Sequence, residues 1–229
     1  MTSVRKYAIA SIRQLTESTN SYKFKAVEEE KVQFQAGEFI YLHILDNDKI
    51  VKRCYSVASA PEDDIELCIK MVNGELTGRL AKMKEGDIVG IEKGGGHFAY
   101  KGEKKCGFIA GGVGMAPVIG ILREIAKKKI EGEFVFFCSS KTEEEILYRE
   151  ELAELSKRNP GIKVVHTLTR EKWKGECGRV DAEMIKRNLP DASDYNWWIC
   201  GSMAMLKSMR EHLTSLGVDP RKIRMEGWG

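Results

Sequence analysis

Phe108-Ile109-Ala110-Gly111-Gly112-Val113-Gly114-Met115-Ala116-Pro117 runs an apolar strand into three glycines and then into a helix. Pro117 stands in the first helical turn, where a missing N–H costs little. Glycines at such a turn let backbone N–H groups approach a pyrophosphate, and the helix N-terminus favours its negative charge. The spacing departs from G-x-G-x-x-G, because Pro117 occupies the place of the third glycine. Two readings fit this stretch: a dinucleotide loop, or a tight strand-to-helix turn that serves packing alone.

Downstream of this stretch, short apolar runs (Phe134–Cys138, Val164–Leu168, Trp197–Cys200, Ile223–Met225) alternate with helical stretches. Thr142-x-x-Glu145 reads as a capping box opening a helix that carries Ile146, Leu147, Leu152 and Leu155 on one face. Asp181–Asn188 and Met203–Leu216 read as further helices, the latter closed by Gly217. This rhythm predicts a five-stranded parallel sheet covered on both faces, a Rossmann-like α/β domain. Upstream the pattern is different. Tyr22, Phe24 and Ala26 alternate with polar neighbours, as do Ile65, Leu67, Ile69 and Met71, which predicts half-buried antiparallel strands. Phe39–Leu45 and Ile88–Ile91 add two more, and Gly37, Asn47-Asp48, Pro61-Glu62-Asp63-Asp64 and Gly86-Asp87 supply turns. The first hundred residues therefore read as a small antiparallel β-barrel interrupted by a short helix near Thr77–Met83. Domains at 1–100 and 101–229, joined by the stretch Tyr100–Lys105, are the expected organisation.

Composition narrows the function classes. The 229 residues include 37 basic and 34 acidic side chains, with 42% hydrophobic and 31% charged. That is the profile of a globular chain with a sizeable core. The charges are interspersed and make no phosphate-binding stripe, so nucleic acid is not an expected partner. Six cysteines (Cys54, Cys68, Cys106, Cys138, Cys177, Cys200) are scattered without a C-x-x-C pair, which argues against a zinc site, an iron–sulfur site or a disulfide scaffold. No metal ligand set is expected. Cys106–Leu122 is free of charge over 17 residues, but its five glycines and a proline, and its length, fall short of a membrane span. Met1-Thr2-Ser3-Val4-Arg5-Lys6 lacks the apolar segment of a signal peptide, and a cytoplasmic location is expected.

Two further clusters bear on chemistry. Arg53-Cys54-Tyr55-Ser56-Val57-Ala58-Ser59 ends a barrel strand and combines a cation, an aromatic ring and a hydroxyl. These suit a phosphate, a flat heterocycle and a ring nitrogen, or else an ordinary edge strand. Cys200-Gly201-Ser202-Met203-Ala204-Met205 follows the Trp197-Trp198-Ile199 strand, at the strand end where open α/β sheets bind ligands. A buried structural cysteine is the alternative there.

The order of these clusters resembles the ferredoxin–NADP reductase superfamily, with a flavin-binding barrel first and a pyridine-nucleotide domain second. The matching pieces are R-x-Y-S at Arg53, Tyr55 and Ser56, then Gly74-Glu75-Leu76-Thr77, the loop Gly111–Pro117, Cys200-Gly201, and Trp228 near the end. The resemblance spans nearly the whole chain. It implies that Arg53 binds the flavin pyrophosphate, that Tyr55 lies against the isoalloxazine, and that Ser56 bonds near N5. Gly74 and Thr77 would cradle the same phosphates, which favours FAD over FMN. Gly112 and Gly114 would face the nicotinamide dinucleotide, Cys200 would sit near nicotinamide C4, and Trp228 would cover the flavin face that the nicotinamide must reach. Glu226 would help position the nicotinamide or move a proton. Val57, Met115, Pro117, Gly201 and Met205 complete the cofactor-binding set. Ser139, Ser140, Lys141, Arg170 and Arg179 would meet the adenosine end, where Lys141 and Arg170 lean toward NADP, with NAD possible.

The implied activity is hydride transfer between NAD(P)H and bound FAD, with single electrons passed to a ferredoxin- or flavodoxin-like carrier. Such chemistry needs orientation of two cofactors and no protein nucleophile. An NAD(P)H:flavin reductase, the reductase component of a separate oxygenase, and a non-catalytic flavin-bearing sensor remain open as alternatives. The chain departs from the family pattern at Gly94-Gly95-Gly96-His97-Phe98, which lacks the usual proline, and at Gly229, which follows the aromatic. It carries no appended iron–sulfur cysteine cluster. Lys127-Lys128-Lys129 reads as a solvated helix end or, with Lys101, Lys104 and Lys105, as a docking patch for an acidic carrier.

Overall fold

The computed structural model describes residues 4–46 and 49–228. The Asn47-Asp48 turn, Met1-Thr2-Ser3 and Gly229 lie outside the described residues. Six antiparallel strands form the first unit: β1 (Arg5–Thr16), β2 (Thr19–Ala26), β3 (Phe39–Asp46), β4 (Lys49–Ser56), β5 (Ile65–Lys70) and β6 (Ile88–Gly95). They bond in the order β4-β3-β6-β1-β2-β5, and a Val57–Leu67 bridge joins the outer two into a barrel. Closure removes the exposed edges that invite aggregation. Tyr7, Ile9, Tyr22, Phe24, Ile40, Leu42, Val89 and Ile91 fill the interior.

The expected strands do not include β1, and two expectations for this unit change, at β5 and the short helix. Strand β1 shows no clean alternation in sequence, because its pairing with β2 shifts register between Ile9 and Ser11 and again between Gln14 and Thr16. Such bulges break the period-two signal. Strand β5 is buried on both faces from Ile65 to Ile69, including Glu66, because its second face packs against the other unit rather than solvent. The short helix α1 (Glu75–Leu80) starts two residues earlier than expected and ends at Leu80.

The second unit is a parallel sheet of six strands, one more than expected: β7 (Lys105–Gly111), β8 (Glu133–Ser140), β9 (Ile162–Leu168), β10 (Glu176–Cys177), β11 (Asn196–Gly201) and β12 (Ile223–Gly227). The additional strand, β10, is two residues long and pairs with Thr167 and Leu168, too short to carry a periodicity. Helices α2 (Met115–Lys127) and α3 (Arg149–Arg158) cover one face, and α4 (Ala182–Asn188) and α5 (Met203–Ser215) the other.

The Thr142 capping box does not form. Glu143–Glu145 is a single 3-10 turn, Ile146 leaves it extended, and α3 begins at Arg149 after Tyr148 in the left-handed region at φ 53°. A buried tyrosine hydroxyl must find a polar partner. Tyr148 finds Glu66 on the barrel at 2.9 Å, and that demand breaks the helix start. The Tyr100–Lys105 stretch is anchored as well: Tyr100 is buried, its hydroxyl donates to the Glu103 carbonyl, and Arg224 pairs with Glu103 at 2.6 Å while lying over the Trp198 ring. No helix among the described residues is long and apolar enough to cross a membrane.

Candidate functional site

The parallel strands bond in the order β10-β9-β8-β7-β11-β12, so the order reverses between β7 and β11. The crevice beyond the strand ends at such a reversal is where open α/β sheets bind ligands. The glycine loop fills one side of it. Gly112 opens a 3-10 turn at φ 56° with nothing within 4 Å of where a Cβ would stand. Gly114 ends the turn against β11, and a Cβ there would lie 2.6 Å from the Cys200 carbonyl oxygen. Only glycine permits that approach. Met115 is buried at the start of α2, and Pro117 is buried in the same turn, with no side-chain cap on the helix.

The other side of the crevice is built by the ends of β11 and β12. Cys200 and Glu226 are register partners on these parallel strands. Glu226 reaches across to the barrel, where Ser56 Oγ donates to its Oε1 at 2.8 Å. Burial pushes the Glu226 carboxyl above the ordinary range, against the lowering effect of hydrogen bonds from Ser56 and Trp228. Burial also pushes the Cys200 thiol up, with the Glu226 carboxylate adding to the rise, so it stays protonated at neutral pH. Trp228 donates its backbone N–H to the Gly201 carbonyl at 3.3 Å, and its ring meets Phe39 edge-on at 6.4 Å between centroids. Met205 packs its sulfur against Gly201.

Strand β4 supplies the barrel side. Side chains alternate along a strand, so Arg53 and Tyr55 share one face while Ser56 points to the other. Arg53 is exposed and turns one N–H to the Lys52 carbonyl at 2.8 Å. Tyr55 is half-buried and packs on the barrel core, which pushes its hydroxyl up to about 12. Val57 is fully buried in the closing bridge. Gly74 precedes α1, and Thr77 sits inside its first turn with its hydroxyl donating to the Val72 carbonyl at 2.5 Å. That bond commits the Thr77 proton to the turn, which leaves backbone groups as the donors there.

The residues expected at the adenosine end form a separate group. Ser139 and Ser140 end β8, and the Arg170 backbone N–H donates to the Lys141 carbonyl at 3.0 Å, so the loops after β8 and β9 adjoin. Lys141 pairs with Glu145 at 3.4 Å. The Glu143 N–H donates to the Glu171 carboxylate, and Arg149 pairs with Glu143. Arg170 and Arg179 are exposed. Three of the six expected docking lysines are engaged: Lys127 with Asp63 and Glu62, Lys128 with Glu124, and Lys105 with Glu133. Sequence reasoning does not place Phe39, Glu145 or Glu171 in the site: Phe39 reads as the start of a strand and Glu145 as part of a capping box. A cleft of about 1240 Å³ opens elsewhere along the seam between the two units, lined by Ser21, Glu66, Arg123 and Glu151, and none of the expected cofactor residues borders it.

The donor set fits the implied cofactors. An exposed guanidinium, an aromatic ring and a hydroxyl lie within four residues of one strand, and an uncapped helix start follows a loop with open space at Gly112. Residues 6–100 match the oxidoreductase FAD-binding domain and residues 108–211 the oxidoreductase NAD-binding domain. An NADH-cytochrome b5 reductase 1 from Mortierella alpina is 31% identical over 227 residues, covering 94% of this chain and 76% of the relative. Among solved structures, the FAD/NAD-binding domain of a nitric oxide dioxygenase from Vibrio cholerae superposes with a TM-score of 0.88 at 20% identity, over 98% of both chains. A ferredoxin NADP+ reductase from Neisseria gonorrhoeae, with bound FAD and NADP, superposes at 0.81 and 22% identity, again over 98% of both.

Proposed function

The chain belongs to the ferredoxin–NADP reductase superfamily and is an FAD-dependent NAD(P)H oxidoreductase; from that premise we propose that it takes electrons from NADH and delivers them singly to a small haem protein of the cytochrome b5 type. The relatives that share about 30% of its sequence over most of their length are NADH-cytochrome b5 reductases, which supports both the reductant and the acceptor. The acidic surroundings of Lys141 support NADH as well. With Lys141 paired to Glu145, and Glu143 bonded to Glu171 in the adjoining loops, a 2′-phosphate would find no free Lys141 ammonium and would face carboxylates beside the exposed Arg170. We assign residues 1–100 to FAD and residues 101–229 to the dinucleotide.

Bound FAD supplies the conversion of a hydride, which carries two electrons, into single-electron steps. The protein supplies placement. Arg53 holds the pyrophosphate, Tyr55 lies along the ring, and Gly112 and Gly114 let backbone N–H groups reach the dinucleotide. Ser56 presents its oxygen to the flavin while its hydrogen is turned to Glu226. Burial makes Glu226 a better proton holder than an exposed carboxylate, so a proton on Oε1 reverses the bond and frees the Ser56 hydrogen for the flavin. Cys200 stays neutral and lines the nicotinamide side. Trp228, leaning edge-on against Phe39, would cover the flavin face that the nicotinamide must reach.

The observation that carries this reading is the Ser56–Glu226 bond, which joins the flavin strand to the end of the nucleotide sheet. The test is anaerobic titration of the yellow holoprotein with NADH, then NADPH, followed by addition of oxidised cytochrome b5. Bleaching by NADH at lower concentration than NADPH, and catalytic haem reduction, are expected. A ferredoxin reduced faster than cytochrome b5 would overturn the acceptor and leave the oxidoreductase in place.

A further inference from the structure

Away from the redox crevice, one guanidinium bonds to both units. Glu66 lies in the middle of β5 and is 2% exposed. Its Oε1 accepts from Ser21 Oγ at 2.6 Å and from the Tyr148 hydroxyl at 2.9 Å, and its Oε2 accepts from Arg123 Nη1 at 2.9 Å. Arg123 stands on α2. Its Nη1 also donates to the Ala58 carbonyl at 2.7 Å, and its Nε and Nη2 grip both oxygens of Glu151 on α3, at 2.6 and 2.8 Å. One planar side chain therefore binds the barrel at two points and α3 at two more.

Helix α2 links this network to the chemistry. The glycine loop caps its N-terminus at Gly114. Further along, Gly120 is seated on the barrel so closely that a Cβ would stand 2.8 Å from the Val57 carbonyl oxygen and 3.1 Å from that of Ser59. Arg123, three residues on, lies on the same face of the helix and bonds to Ala58 between them. The segment Val57–Ser59 follows directly on Ser56. So the backbone that carries Ser56 is also the backbone on which α2 rests, and α2 carries the dinucleotide loop at its other end.

We infer that Arg123 is a positioning residue for hydride transfer: by tying α2 to Ala58 and Glu66, it sets how far the glycine loop stands from Ser56, while touching neither cofactor. This rests on the flavin and dinucleotide roles proposed above. A buried ion pair is weak grounds for stability, because desolvation offsets much of its attraction. Apolar side chains would hold the two faces together equally well and let them slide. A guanidinium with a fixed fork specifies an orientation, and lysine offers no second arm. Reacting atoms must be held to fractions of an ångström, so a hinge with that much directional bonding fits a role in alignment.

The test uses purified holoprotein of the parent, Arg123→Met, Arg123→Lys and Glu151→Gln, mixed anaerobically with NADH in a stopped-flow spectrometer. Flavin content, melting temperature, the limiting rate of flavin reduction, half-saturation by NADH, and the long-wavelength charge-transfer absorbance of stacked nicotinamide and flavin are all recorded. In Arg123→Met we expect retained FAD, half-saturation within about twofold, a weaker charge-transfer band, and a limiting rate lower by about 10- to 100-fold. Arg123→Lys, which keeps one arm, recovers part of the loss, and Glu151→Gln, which loosens the fork while leaving Glu66 paired, falls between. Unchanged band and rate in the variants, whatever their melting temperatures, assign Arg123 to stability alone and overturn the inference. If Arg123→Met does not fold, the lysine and Glu151 variants decide the matter by the same readings. A parent protein that holds no FAD, or is not bleached by NADH, overturns the proposed function instead.

Discussion

Ser56 Oγ donates to Glu226 Oε1 at 2.8 Å across 170 residues of chain, so the end of the fourth barrel strand and the last strand of the parallel sheet share one hydrogen bond. The bond closes the redox crevice from both units at once. It also places a carboxyl raised by burial one bond away from the hydroxyl assigned to the flavin.

Glu226→Gln keeps an oxygen acceptor for Ser56 and removes the titration. Flavin reduction by NADH should slow by about 10²- to 10⁴-fold, the usual scale for loss of a general acid or base. The pH limb due to Glu226 should vanish from the rate profile. A profile that keeps this limb in the variant would remove Glu226 from proton handling.

The same substitution has a stability consequence of defined sign. A carboxyl raised in the folded state contributes stability that is present below its unfolded pKa and lost as pH rises through the folded value. The melting temperature of Glu226→Gln relative to the parent should therefore rise between acid and neutral pH. Glu66 behaves oppositely. Burial alone would raise its carboxyl, but Arg123, Ser21 and Tyr148 hold it below the ordinary range, so its contribution is lost as pH falls through that lowered value. Glu66→Gln should cost about 1–3 kcal/mol at neutral pH, because Arg123 loses one charged partner while keeping Glu151, and the cost should shrink in acid. Thermal melts at several pH values check both signs.

Arg53→Ala should weaken FAD retention by about 10- to 100-fold, matching the roughly 1.5–3 kcal/mol of a hydrogen bond to a charged group. Isothermal titration of flavin-free protein with FAD measures it. Equal affinity in the variant would put the flavin pyrophosphate elsewhere.

Gly114→Ala drives a methyl to within 2.6 Å of the Cys200 carbonyl oxygen. Overpacking of this kind costs about 1–3 kcal/mol, or roughly 2–12 °C in melting temperature for a chain of this size. Because the loop must move to accommodate it, the Michaelis constant for NADH should rise while FAD content stays constant.

Glu145→Gln frees Lys141 from its ion pair. Use of NADPH relative to NADH should improve by about two- to fivefold, the scale of an exposed pair. No change in that ratio, measured as kcat/KM for both nucleotides, would take Lys141 away from the 2′-phosphate position.

The glycine loop at Gly111–Pro117, the R-x-Y-S run at Arg53 and the strand–helix rhythm were legible in sequence, because each is written in neighbouring residues. Local backbone needs, such as the close approach at Gly114, and burial with period two or 3.6 leave marks within a few positions. The bulges of β1 erased its alternation, and the two-residue β10 was too short to have any. Tyr148 gives up the helix that Thr142 and Glu145 announce, because its hydroxyl answers to Glu66, 82 residues away. Glu66 itself reads as the polar face of a half-buried strand until α2 covers that face.

What the sequence by itself determined is the family, the two-unit architecture and the types of residue proposed to meet the cofactors. Only the tertiary structure decided that Ser56 meets Glu226, that Arg123 spans the seam, and that Glu145 occupies Lys141. The physical reason is that a side chain's partner across a packed interface depends on where distant segments come to rest, and a charge or hydroxyl can be satisfied by many partners. The pattern of apolar residues specifies which face is buried, and the packed fold selects the group that each buried polar atom meets.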